Sequence, residues 1–203
     1  MPDCRAELPC VGFDFTRHMR RICRDLAVRL PDLRHVDVDR IAISFSQARS
    51  SALHGLLASL TPMRFEGGHP FEVRAGKRWV VEPLYDDAGR EMLYILNFYL
   101  PRFLNHPFEE KLTTVLHELW HISPKFDGDL RRHEGACYVH GRSKTAYDAT
   151  MAAMARRWLD LSPPSETYAF LNHTFGELHQ RHGAVVGMKV PRRKLIAQQA
   201  NAT

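Results

Sequence analysis

His117-Glu118-Leu119-Trp120-His121 reads H-E-x-x-H inside a run with helical periodicity. Histidines four residues apart lie on one face of a helix, one turn from each other, so both imidazoles can reach a single metal ion. A glutamate between them stands beside a metal-activated water and can take its proton. The stretch therefore predicts a metal-binding helix in which His117 and His121 are ligands and Glu118 is the general base. That is the equipment of a zinc metallopeptidase, a hydrolase of peptide bonds.

The flanking residues support the helix. Asn105-His106-Pro107 offers a cap followed by proline in the first turn, and Glu109 and Glu110 follow where the positive end of the helix dipole favours acids. Phe108, Leu112, Val115, Leu116, Leu119 and Ile122 recur at helical spacing and form one broad apolar stripe. Glu110, Thr114, His117 and His121 project from the other side. One face is expected in a core and the other in a cleft.

Ile122-Ser123-Pro124 ends this helix, because the residue before a proline is pushed out of the helical region. Asp127-Gly128 is a turn signal. A loop that folds back there would bring His133 to the metal. Two helical histidines and one later ligand leave the fourth position open to water, as a catalytic site requires. Glu134, Asp129 and His140 are rival third ligands. Three imidazoles suit zinc, although iron, nickel and copper accept them too.

The run HELWHISPKFDGDLRRH, His117 to His133, resembles the phage metallopeptidase family of zincin-like proteins. Its members carry a HEL-x-HI core, a proline, a glycine-containing turn and a following Arg-x-His. The likeness covers Asp37 to Tyr138 and is densest from Val115 to His133. It implies zinc on His117, His121 and His133, with Glu118 as the base. More distantly, the layout is similar to the SprT/Spartan-type proteases, which act on proteins associated with DNA.

The 203 residues, 44% of them hydrophobic, suffice for one core. The reading is a flexible tail over 1–10, a zincin-like metallopeptidase domain over 11–161 and a C-terminal extension over 162–203. The extension is expected to hold a short helix, a small β element and a disordered tail from Ala197. No run approaches the roughly 18 apolar residues of a membrane span, and the start lacks the basic-then-apolar pattern of a signal peptide. Cytoplasm is the expected compartment, with no membrane partner. Cys4, Cys10, Cys23 and Cys137 are scattered, without a C-x-x-C, and read as isolated reduced thiols. Nothing marks an oligomeric state.

The net charge is +5, with 28 Lys and Arg against 23 Asp and Glu. A basic balance raises nucleic acid as a partner. Arg17, Arg20, Arg21 and Arg24 line one side of a first helix, Phe13 to Leu30, though a solvated helix face is the more common explanation for such a row. Val36 to Phe45 alternates as a strand, and Ser50 to Arg64 fits either helix or strand. Trp79 to Tyr85 and Glu91 to Leu100 flank Asp86-Asp87-Ala88-Gly89, the pattern of a β-hairpin leading into the H-E-x-x-H helix. The second run is either an edge that holds an extended substrate or an interior strand. Ala146 to Leu161 reads as a helix under the metal helix. Ser165 is a plausible cap for a short helix over Glu166 to Leu171, and Leu178 to Ile196 reads as β.

The expected fold is thus α+β and zincin-like, with a small, mainly antiparallel sheet and flanking helices. Tyr138, His140 and Tyr147 are candidates for stabilising an oxyanion. His173, His179 and His182 lack the spacing of a second metal site. Two rival functions remain. One is a non-catalytic zinc clip whose fourth position is filled by Glu134, Asp129 or Cys137. The other is a protease acting on DNA-associated proteins, for which nucleic acid would be a partner as well as peptide.

Overall fold

A computed structural model describes residues 12–48, 52–132 and 144–198. Its centre is a three-stranded sheet. β2 (Ile41–Gln47) and β6 (Tyr94–Leu100) run parallel, and β3 (Ala58–Pro62) joins β6 antiparallel, in the order β2-β6-β3. Period-two alternation sorts the side chains of these strands. Ile41, Ile43, Leu96, Phe98 and Ala58 face one large apolar cluster, while Ala42 and Ile95 face a smaller one with Met63 and Met92.

Helices cover the large face. α1 (Phe15–Arg29) buries Met19, Ile22, Cys23 and Leu26; α2 (Phe108–Trp120) buries Leu112, Val115, Leu116 and Leu119. α3 (Lys144–Asp160) packs on α2 and adds Met151, Met154 and Trp158. Asp14 caps α1 by accepting a hydrogen bond from the Arg17 N–H. The Cys23 thiol is buried, which pushes its pKa up to about 12. Cys4, Cys10 and Cys137 lie outside the described residues.

A second three-stranded sheet stands at the side. β4 (Phe71–Arg74), β5 (Lys77–Val81) and β8 (Leu195–Gln198) are antiparallel, in that order. Ala75 and Gly76, both at positive φ, close a two-residue hairpin between Arg74 and Lys77. The chain's last described elements are pinned to earlier ones. α4 (Ser165–Tyr168), a 3-10 turn over Ala169–Asn172 and α5 (Phe175–His182) lead to β7 (Val185–Val186). β7 pairs with β1 (Phe13–Asp14), and Phe170, Leu171 and Leu178 join the main core.

The α+β class holds, but the sheet differs from expectation in three ways. The main sheet is mixed, because β2 and β6 are parallel. The predicted hairpin is reduced to its tip. Only Tyr85 and Glu91 pair across it, while Trp79–Val81 belongs to the outer sheet and Tyr94–Leu100 to the main one. Pro83 explains the split: a residue without an N–H interrupts the first run before it can pair along its length. Leu178–His182 is helical rather than β, with a capping box between Thr174 and Glu177 at the helix start.

Smaller corrections follow the same logic. Val38–Arg40 is a 3-10 turn, so β2 starts only at Ile41. Asn105 does not cap α2; its Oδ1 accepts from the Phe175 N–H, and the helix begins after Pro107. Ser165 is the first residue of α4 rather than its cap. Ala197 and Gln198, expected in a disordered tail, pair in β8. Among the described residues no helix is long and apolar enough to cross a membrane.

Candidate metal centre

α2 delivers the motif as its apolar stripe requires. With Leu112, Val115, Leu116 and Leu119 in the core, His117 faces outward. Regular helix ends at Trp120, but His121 keeps helical dihedrals, φ −66° and ψ −17°. The one-turn spacing therefore survives, and the His117 and His121 rings lie 4.5 Å apart, centre to centre. Two imidazoles this close on one helix suit one shared ion, which is the fit a zinc ligand pair needs.

Glu118 occupies the seam between α2 and β3. Its carboxyl lies against the Leu60 main chain of β3. Only 8% of the residue is exposed. Burial pushes its carboxyl up to about 7, against the smaller opposing pull of the Leu60 main chain.

Among the described residues, the strand it touches has a partner strand on one side only. Tyr99 N–H donates to Leu57 O, and Met63 N–H donates to Leu93 O. Antiparallel pairing alternates, so Ala58, Leu60 and Pro62 turn their main-chain groups away from β6. Pro62, lacking an N–H, is tolerated because that side is an edge. Of the run 91–100, an edge for substrate or an interior strand by its sequence, Tyr94–Leu100 forms the interior strand β6; the edge beside the motif is β3.

The loop after the motif folds back as its Asp-Gly turn predicts. Ile122 bridges to Leu130, Ser123 N–H donates to Asp129 O at 3.2 Å, and Arg131 N–H donates to His121 O at 2.7 Å. The Tyr94 hydroxyl, from the middle strand, donates to Asp129 O and accepts from Gly128 N–H. Gly128 is required there. It has φ +86°, and a Cβ would meet Arg64 Cγ at 2.5 Å.

The Asp129 carboxylate, a rival third ligand, serves this loop instead. It accepts from Gly67 N–H, Leu130 N–H and the Arg132 guanidinium. Among the described residues no three His, Cys, Asp or Glu side chains stand together as a metal site. His133, Glu134, Cys137, Tyr138 and His140 lie outside them, as does the Tyr147 side chain.

A groove of about 630 Å³ opens beside the motif. Leu56, Leu57 and Ala58 form one wall; Glu109, His117 and Glu118 of α2, with Asp148 of α3, form the other. Arg102 and His106 hold its rim through Ala52 O, Leu56 O and Leu53 O. β3 and Asp148 were not singled out in the sequence. Pro62, closing the stretch Ala58-Ser59-Leu60-Thr61, was the readable mark of an edge strand. Comparison of the chain with protein-family profiles, with curated proteins and with solved structures gives no match.

Proposed function

We propose that the protein is a zinc-dependent metallopeptidase of zincin-like architecture. The observation that carries this reading is the cluster at the end of α2: two histidine rings 4.5 Å apart, with the intervening glutamate buried against an open strand edge. His117 and His121 would hold the metal with His133 as third ligand, and the return of the chain to His121 O supports that last assignment. Zinc in such a site supplies Lewis acidity toward a scissile carbonyl and toward water.

The chain's own residues do the rest. Glu118 takes the proton of the attacking water on its carboxylate and passes it to the leaving amine. The Leu60 main chain of β3 flanks that carboxylate. The open side of β3 holds the substrate extended beside the helix by adding a strand. An adjacent glutamate favours this reading over a structural zinc clip, which has no use for a base.

Elemental mass spectrometry and peptide hydrolysis test the proposal together. Wild type should carry about one zinc per chain, sharply reduced in His117→Ala and in His133→Ala. Glu118→Gln should keep its zinc and lose hydrolysis by about 100-fold or more. A Gln variant with unchanged turnover, or a wild type that takes up no metal on reconstitution, overturns the reading. Zinc retained in His133→Ala moves only the third ligand.

A further inference from the structure

The charge class of the peptide can be read from the groove, given the metallopeptidase reading on which this inference rests. On the side of β3 that faces away from β6, Pro62 has no N–H and the Leu60 main chain lies against the Glu118 carboxyl. Ala58 turns both an N–H and a C=O to that side at the end of the strand that lines the groove, with 4% of the residue exposed. An incoming strand would meet β3 at this Ala58 end.

That groove carries negative charge from two helices. Glu109 and Glu110 come from the first turn of α2, and Asp148 comes from α3. Glu110 lies 2.6 Å from His106 Nδ1. Glu109 and Asp148 form no ion pair among the described residues. Among the described residues that line the groove there is no lysine or arginine; Arg102 sits at its rim, donating to Leu56 O. The opposite wall is apolar, with Leu56 exposed and Leu57 half-buried.

The far end of β3 differs. The basin beyond Pro62 is lined by four arginines: Arg64, Arg74 and Arg132 are each ion-paired to a glutamate, with Asp129 also paired to Arg132, and Arg131 donates to Trp120 O and lies over the Trp120 ring. Its cations are engaged, whereas among the described residues Glu109 and Asp148 of the groove form no ion pair.

We propose that the groove receives a lysine or arginine side chain of an extended peptide paired to β3 at Ala58. The aliphatic stem would lie on Leu56 and Leu57 while the charged head reaches Glu109 and Asp148. The protein as a whole carries +5 and favours acidic ligands nonspecifically, so a local preference for basic peptides has the opposite sign to the background.

The experiment uses full-length Glu118→Gln protein and fluorescently labelled, otherwise neutral peptides through which one lysine or one glutamate is walked position by position. Anisotropy at low salt should show one or two positions where lysine binds about tenfold tighter than glutamate, from two partly exposed ion pairs. The double variant Glu109→Lys, Asp148→Lys in the same background should reverse that preference, with circular dichroism reporting its fold. Equal affinities at every position, a lysine preference that survives the reversal, or no peptide binding each overturn the proposal. Cleavage of the same peptides by wild type separates the two claims. Charge-selective binding without cleavage sinks the peptidase reading and leaves the groove. Cleavage indifferent to lysine or glutamate does the reverse.

Discussion

The two three-stranded sheets have equal strand number and opposite surroundings. β2-β6-β3 is covered by α1 and α2 on one face, and its middle strand β6 buries Tyr94, Leu96, Phe98 and Leu100. β4-β5-β8 leaves Phe71, Val73, Leu195 and Ile196 exposed, Val73 by 62%. The difference separates what fixes the candidate site from what surrounds it. The buried sheet supplies three of the contacts that place the motif: the Leu60 main chain beside Glu118, the Tyr94 hydroxyl at the Gly128–Asp129 turn, and the apolar core against which Leu116 and Leu119 of α2 pack so that His117 turns outward. The outer sheet lines the arginine-rich basin through Phe71, Glu72 and Arg74 and packs Val81 against the smaller cluster of Ala42, Met63, Met92 and Ile95.

The largest effect should therefore come from the middle of β6. Phe98 is fully buried, 5.6 Å from the Phe15 ring and 4.7 Å from that of Phe103. Phe98→Ala should cost about 3–5 kcal/mol in urea unfolding, from lost burial and the cavity left behind. A loss below about 1 kcal/mol would mean that the helices do not depend on this sheet for their seat, and the contrast between the sheets would collapse.

How far each region could be read from the sequence follows the same divide. α1 and α2 were legible because their apolar residues recur every three to four positions over many turns, and one face of each is buried. The motif helix, its stop near Ser123-Pro124 and the fold-back at Asp127-Gly128 were all visible for that reason. β3 was not, since Ala58-Ser59-Leu60-Thr61-Pro62 is short and weakly alternating, and its place is decided by pairing with β6, some 35 residues on in the chain. Asp86-Asp87-Ala88-Gly89 has the pattern of a hairpin turn, but Pro83 keeps the runs it joins from pairing along their length. Lys111 left no trace at all. It interrupts the polar face of α2 as any solvated lysine would, yet its Nζ donates to Leu104 O and His173 O, and the residue is 2% exposed.

That lysine sharpens the comparison through pH. Burial lowers the Lys111 pKa from 10.5 to about 8, with Glu177 pulling weakly the other way. Its folded value lies below its unfolded one, so between about pH 8 and 10.5 the unfolded chain holds more protons. Stability attributable to Lys111 should rise with pH across that window, by at most about 3 kcal/mol, and the whole penalty should be present below pH 8. Cys23 acts in the opposite direction, because its raised pKa makes the unfolded thiolate more favourable as pH rises. The difference between wild type and Lys111→Met, measured by urea unfolding at pH 7.5 to 10.5, isolates the lysine. A difference that does not change with pH would show that Lys111 is solvated in solution. In the outer sheet, the exposed Arg74–Glu72 pair gives no comparable handle, since surface ion pairs add little.

The smallest effect belongs to the outer sheet itself. Val73 stands opposite Arg78 on β5, beside Phe71, over whose ring the Arg78 guanidinium lies at 4.1 Å. Threonine keeps the β-branch that suits a strand and replaces one exposed methyl with a hydroxyl that water can satisfy. Val73→Thr should therefore change the unfolding free energy by no more than about 0.5 kcal/mol, the range of surface substitutions. The measurement is the urea midpoint with an unchanged slope. Its value lies in the contrast with Phe98→Ala, because both replace an apolar strand residue and differ in burial. A loss above about 1.5 kcal/mol at Val73 would mean that this surface is covered in solution. The two sheets would then differ in what buries them rather than in whether they are buried.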